Sequence, residues 1–205
     1  MVSGEVIAVI GAAVGTAILT ATLLYMRTLP GATRALSWWA AALAVTTLCQ
    51  LVFLADLFMV LPGMTFFFEA MVAIAASLFL GGALVFMGRR PSPWGIGGPV
   101  AAVIVWLLVA RHLDVSFFLR TAPPFFGAAL ALFLTGALFL RDRQTNRNLG
   151  YGFVGTAFIV WGCHMAAYPL LRPNPAVLPW GFTTTLGITL AIALGLILSV
   201  QRRQA

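Results

Sequence analysis

The sequence consists of long apolar runs that are almost free of charge, separated by short segments that hold most of the arginines. A helix needs about 20 predominantly apolar residues to cross the roughly 30 Å hydrocarbon core of a bilayer. Runs of this kind predict seven transmembrane helices, at residues 6–26, 35–55, 65–87, 94–110, 123–140, 151–171 and 180–200. Residues 1–205 are therefore expected to form one all-α integral membrane domain, a bundle of seven helices.

The composition excludes a soluble protein of this length. Hydrophobic residues make up 61% of the chain and charged residues only 8%. A soluble domain carries about 25% charged residues, because its surface faces water. Most of this chain's surface must therefore face lipid.

Proline and glycine residues mark the starts of two of the predicted helices. The fifth is expected to begin after Pro123 and Pro124, and the fourth has a first turn weakened by Gly95, Gly97, Gly98 and Pro99. Without the fourth helix, both termini would lie on the same side of the membrane. The first helix follows Glu5 with no basic segment before it, so it reads as a retained span and not a cleaved signal peptide.

All twelve basic residues are arginine, and the net charge is +7. The absence of lysine excludes a retinal or pyridoxal Schiff base and a phosphate-loop lysine. With seven spans, nine arginines fall in the segments of one side and three in those of the other. Because cytoplasmic loops are enriched in arginine, this bias predicts an outer N-terminus and a cytoplasmic C-terminus, and it explains the charge without nucleic acid.

Small residues are expected to pack the helices closely, since lipid supplies no hydrophobic drive between them. Gly11 and Gly15 form a GxxxG pattern in the first helix. Similar sets occur in the third, sixth and seventh helices, at Ala75, Ala76, Gly81, Gly82, Gly152, Gly155, Gly187, Ala191 and Gly195. These faces serve packing within the bundle or contact with another subunit.

Ionisable groups at membrane depth are costly, so each is a candidate functional residue. With this topology nearly all of them fall in the outer half of the bundle. We expect a shallow polar pocket there, formed by Gln50, Asp56, Glu69, Trp161, His164, Tyr168 and Arg172. In the alternative interpretation, these groups satisfy one another near the membrane surface and bind nothing.

Neither a metal site nor an enzymatic activity is predicted. A transmembrane di-haem site needs four histidines, and the chain has two, His112 and His164. Cys49 and Cys163 fall at similar depths, where a disulfide is possible but two free thiols are favoured. No nucleophile elbow, zinc-protease motif or phosphate loop occurs. We therefore predict a non-enzymatic protein with no cofactor, while haem, quinone and pigment remain open.

The segment 160–172 reads VWGCHMAAYPLLR. It resembles the W-G-x-H…Y-P stretch in the last helical hairpin of the multi-span N-terminal sensor regions of bacterial histidine kinases and diguanylate cyclases. Further similar features are Ser37-Trp38-Trp39-Ala40, the Leu61-Pro62 turn and the Gly81…Arg89-Arg90 end of the third helix. One departure is the apolar stretch between His164 and Tyr168. The other is the end of the sequence at residue 205, where the family would continue into an output domain, which implies either an excised sensor or a stand-alone relative.

The resemblance implies a signal-input module of the bacterial cytoplasmic (inner) membrane. It would bind a small or membrane-borne ligand in its outer half and pass the signal through the last helix to a protein partner or a second copy. The alternative function is an accessory subunit of a respiratory or photosynthetic membrane complex that contacts lipid, quinone or pigment. A transporter or lipid-modifying enzyme is the third class, weakened by the absence of motifs.

Overall fold

A computed structural model describes residues 4–59, 63–146, 149–174 and 176–204 of the chain. In these ranges the regular elements are all α-helices: α1 Gly4–Thr28, α2 Ala35–Met59, α3 Met64–Phe86, α4 Pro93–His112, α5 Phe117–Asn146, α6 Leu149–Leu171 and α7 Leu178–Gln204. The Leu61-Pro62 turn and Arg147 lie outside the described residues.

All seven helices are long and apolar enough to cross a membrane. The shortest has 20 residues and the longest 30, so at 1.5 Å per residue even the shortest spans about 30 Å. The predicted count of seven is confirmed. We call the end of the bundle that carries the start of α1 the N-terminal end. The ends of α2, α4 and α6 and the starts of α3, α5 and α7 lie there as well.

Six helices form a closed ring. In the described part of the chain, α1 packs against α2 and α7, α3 joins α2 to α5, and α6 joins α5 to α7. α4 lies outside this ring and packs only against α3 and α5. Three of its residues are buried, Val103, Leu107 and Ala110. The helix begins at Pro93, where proline at the first turn needs no N–H, and it continues through the glycines and Pro99.

α5 begins at Phe117, six residues before its predicted start, and runs through Pro123 and Pro124. A proline inside a helix has no N–H for the carbonyl four residues earlier. Pro124 thereby leaves the carbonyl of Arg120 without its helical donor. The indole N–H of Trp106 on α4 donates to that oxygen at 3.2 Å, so a neighbouring helix satisfies the group that the proline leaves free.

Large aromatic side chains fill the ring at the end opposite the N-terminal end. They come from α2, α3, α5 and α6 and are fully or almost fully buried: Trp39, Phe79, Phe86, Phe139, Tyr151 and Phe158. The indole of Trp39 packs on Gly82, where any side chain would overlap it. Gly81 packs in the same way on Trp38, so the glycine pair predicted to pack in α3 does so, against two indole rings of α2.

The other small-residue faces are used unevenly. Gly15 packs under Leu186 of α7, but Gly11 and Gly187 face open space. Gly155 of α6 and Gly136 of α5 meet backbone to backbone, and of the two the sequence pattern singled out only Gly155. A methyl group on Gly136 would lie 2.7 Å from the carbonyl oxygen of Gly155.

Candidate functional site

A cavity of about 930 Å³, including its open mouth, lies inside the helix ring in its N-terminal half. We call it the central cavity. Its walls come from α2, α3, α5, α6 and α7, and most of the lining is apolar. The space exists because three of the wall positions are alanines, Ala75, Ala76 and Ala128. At the opposite end of the ring, α2, α3, α5 and α6 carry large buried aromatic side chains instead.

Aromatic rings form the part of the wall nearest the N-terminal end. Tyr168 on α6 stacks on Phe125 of α5 with ring centroids 4.1 Å apart and an interplanar angle of 6°. Phe68 lies against both rings. The guanidinium group of Arg172 sits over the ring of Phe53, 5.2 Å from its centroid.

His164 lies in the wall of the central cavity and is half-buried. Its Nε2 is 3.1 Å from Oγ1 of Thr185 on α7. The Thr185 hydroxyl donates to the carbonyl of Gly181 at 2.9 Å. Since a hydroxyl has one proton, this arrangement favours the tautomer in which Nε2–H of His164 donates to Thr185. The contact joins α6 to α7 beside the cavity.

Gln50 on α2 is 3% exposed. Its Oε1 accepts a hydrogen bond from Thr16 of α1 at 2.8 Å, and Thr47 lies 2.8 Å from the same Thr16 hydroxyl. The amide nitrogen, Nε2, is buried and has no hydrogen-bond partner among the described residues. The same holds for the indole nitrogen, Nε1, of Trp161 on α6.

A second, polar cavity of about 440 Å³ adjoins the central one at the N-terminal end, and we call it the end cavity. Three residues line both cavities: Phe68, Tyr168 and Arg172. Its charged groups include Asp56 and Glu69 as well as Arg120 and Arg172. The two cavities together form an apolar interior with a charged region at its end.

Glu69 is the most buried charged group of this region, with 1% exposure. Its Oε1 accepts a hydrogen bond from Thr121 at 2.8 Å and lies 3.5 Å from Nε of Arg120, whose side chain is one-third exposed. Its Oε2 has no hydrogen-bond partner in the described part of the chain. Arg111 and Asp114 line a third cavity on the other side of Glu69.

The structure divides the seven predicted site residues between two adjoining cavities. Five line the central cavity: Gln50, Trp161, His164, Tyr168 and Arg172. Asp56 and Glu69 line the end cavity, which Tyr168 and Arg172 share.

The sequence interpretation missed the three threonines that bond to predicted residues, Thr16, Thr121 and Thr185. A threonine inside a helix commonly donates to its own backbone, so none of the three carries a distinguishing signal. It also missed the apolar lining. Alanines and phenylalanines occur throughout the chain, and only the packing separates those that face the cavity from those that face lipid.

The residues considered for metal or haem are not brought together. Across the described ranges, no three His, Cys, Asp or Glu side chains are placed to hold one metal ion. His112 is exposed at the end of α4, outside the ring, whereas His164 lies within it. Cys49 is buried and Cys163 exposed, and both are free thiols.

No family model, curated protein or solved structure matches the chain. Inferences about its function therefore rest on the geometry of the two cavities and on the sequence pattern.

Proposed function

We propose that this protein is a non-enzymatic signal-input module that binds a small, membrane-borne ligand in its central cavity. The observation that carries the proposal is the cavity itself, with a mostly apolar wall and a few polar groups. Ligand sites have this composition, because apolar walls supply affinity and a small number of polar groups fix orientation. Such a wall favours a lipophilic ligand over a hydrated one.

The arginine distribution supports an outward-facing end cavity. Nine arginines fall in the segments assigned to the cytoplasmic side and three in the outer ones, the bias of a bacterial cytoplasmic membrane protein with its N-terminus outside. The N-terminal end then lies at the outer leaflet. A ligand dissolved in that leaflet reaches the central cavity past Tyr168 and Arg172, which line both cavities.

α7 is the helix that transmits ligand binding in the central cavity to the cytoplasmic side. It contributes Gly181, Phe182 and Thr185 to the cavity wall and packs against α1 and α6. A ligand beside His164 competes with the His164–Thr185 contact that joins α6 to α7. Release of that contact shifts α7, whose C-terminal end lies at the cytoplasmic face in this orientation, where a partner protein reads the change.

Filling the cavity tests the proposal. Ala128 lines the central cavity, whereas Ala137 on the same helix is exposed on the outside of the ring. The probe is 2-methylnaphthalene, a two-ring hydrocarbon, measured by equilibrium dialysis of protein-loaded nanodiscs against protein-free nanodiscs of the same lipid. We expect saturable binding to the wild type, a loss of about tenfold or more in Ala128→Leu, and unchanged binding in Ala137→Leu.

Melting temperatures serve as the control, because added methylene groups in an existing cavity should not destabilise the fold in the way that overpacking does. We expect Ala128→Leu to melt no lower than Ala137→Leu. Binding to the wild type that does not exceed partition into lipid would overturn the proposal, as would equal binding by the two variants.

A further inference from the structure

Two hydrogen-bond donors on residues of the central cavity wall have no protein partner among the described residues. They are Nε2 of Gln50 and Nε1 of Trp161, on residues that line the cavity and are 3% and 4% exposed. Gln50 lies nine residues from the end of α2, and Trp161 ten residues from the end of α6. At 1.5 Å per residue, both lie about 14 Å from the N-terminal end. The two donors therefore share one level of the cavity.

The orientation of the Gln50 amide follows from its partners on α1. Thr16 lies outside the cavity, and Oε1 of Gln50 is the nearest acceptor to its hydroxyl, at 2.8 Å against 3.0 and 3.2 Å for the carbonyls of Ala12 and Ala13. The Thr47 hydroxyl donates to Oγ1 of Thr16 at 2.8 Å. The carbonyl side of the amide therefore faces α1, and its two N–H groups face away from α1.

Two aromatic rings pack against the indole of Trp161. It meets Phe79 edge to face, with centroids 5.2 Å apart at 73°, and stacks near Phe158 at 6.5 Å. An indole nitrogen donates and never accepts. It can only be satisfied by an acceptor.

The threonine hydroxyl groups of the cavity wall do not supply that acceptor. Thr46 donates to the carbonyl of Ala42 at 2.9 Å, and Thr185 donates to that of Gly181 at 2.9 Å. Neither forms a hydrogen bond with Nε2 of Gln50 or Nε1 of Trp161. Buried donors are nearly always paired, so this part of the cavity is complementary to a molecule that brings acceptors.

We propose that the ligand is a planar, conjugated carbonyl compound of the bilayer, of the quinone class, whose carbonyl oxygens accept hydrogen bonds from Gln50 and Trp161. The flat rings of Phe68, Phe125 and Tyr168 suit a planar body, and the apolar wall suits an isoprenoid or alkyl tail. The inference concerns binding alone, and it rests on the proposed function of the central cavity.

Two probes with one carbon skeleton separate the acceptors from the apolar contact. Menadione is 2-methylnaphthalene with two carbonyl groups. With the same dialysis against protein-free nanodiscs, we expect wild-type protein to bind menadione about tenfold more tightly than the hydrocarbon, the increment expected of a buried hydrogen bond.

Gln50→Met and Trp161→Phe each remove one donor and retain an apolar side chain. Each should weaken menadione binding about tenfold and leave 2-methylnaphthalene binding within about twofold. Trp39→Phe is the matched control, since the Trp39 indole nitrogen is also buried without a partner but packs on Gly82, away from the cavity. It should leave the binding of both probes unchanged.

The outcomes separate this inference from the proposed function. If both probes bind the wild type equally, the donors do not select the ligand and the inference is overturned, while the cavity remains a binding site. If menadione is preferred but both donor variants keep the preference, the inference is overturned as well. If neither probe exceeds partition into lipid, the proposed function fails, and the inference fails with it.

Discussion

At Gly136 and Gly155, the backbones of α5 and α6 approach so closely that neither position has room for a side chain. A methyl group on Gly155 would lie 2.9 Å from the carbonyl oxygen of Gly136, and the reverse distance is 2.7 Å. Because a backbone carbonyl cannot move aside as a flexible side chain does, the two helices would have to separate. These two residues set the width of the ring on this side.

We predict that Gly136→Ala lowers the free energy of unfolding by about 1–3 kcal/mol, the usual cost of overpacking a close contact. Gly127→Ala on the same helix is the control, because Gly127 faces open space. Alanine there removes the entropic cost of glycine in a helix and should raise stability by about 0.5–1 kcal/mol. The measurement is reversible unfolding in mixed micelles of increasing SDS fraction. Equal effects of the two substitutions would contradict the close approach.

Residue patterns predicted only part of this packing. The spacing of Gly155 within α6 and of Gly81 and Gly82 within α3 marked contact faces, and the structure places close neighbours against all three. In the GxxxG pattern of α1, Gly15 packs against Leu186 of α7, whereas Gly11 faces open space. The other glycine of α5, Gly127, faces open space. The role of Gly136 depends on a partner glycine in another helix, which no pattern within α5 reveals.

Within α5, a pair of prolines lies in the second turn of the helix, where a break is the ordinary expectation. The helix continues because Trp106 of α4 donates to the carbonyl of Arg120, the oxygen that Pro124 leaves without a donor. α4, which lies outside the ring, therefore stabilises the start of α5 and also covers part of the outer surface of α3 and α5. The prolines led to the prediction that α5 starts after them. The compensating donor could not be predicted from the sequence of α5, because it comes from a different helix.

We expect Trp106→Phe to lower the free energy of unfolding by about 1–2 kcal/mol, through loss of this partly buried hydrogen bond. Trp94→Phe in the same helix, where the side chain is 85% exposed, should change it by less than about 0.5 kcal/mol. In a Pro124→Ala background the helix regains its own N–H donor to Arg120. Trp106→Phe should then cost less, and the double-mutant cycle measures the difference. A cycle with no coupling would contradict the proposed compensation.

Across the whole molecule, hydropathy and length predicted the seven helices, because the bilayer sets both. The order in which they pack was not predictable in the same way. A ring of α1, α2, α3, α5, α6 and α7 with α4 outside depends on which faces meet, and helix faces in lipid carry weak sequence signals.

The sequence predicted the polar residues of the candidate site, but it did not predict the shape of the cavity that they line. Rare ionisable and amide groups stand out in an apolar chain, so Gln50, Glu69 and His164 were visible from the sequence. The cavity beside them comes from small side chains such as Ala75 and Ala128 facing one another across the ring, which requires the tertiary structure. Glu69 lines the end cavity and not the central cavity, because the rings of Phe68 and Tyr168 lie in the wall between the two cavities.

The central claim is that the ring encloses a binding site, and adjacent residues of α5 test it most directly. Phe125 is 1% exposed and lines the central cavity, whereas Phe126 is 46% exposed on the outside of the ring. A diazirine-bearing phenylalanine is placed at one position or the other, the protein is photolysed in native membranes, and the adducts are identified by mass spectrometry. We predict one discrete lipophilic adduct at position 125 and a mixture of phospholipids at position 126. The same phospholipid mixture at both positions, or crosslinks only within the protein at position 125, would contradict the account.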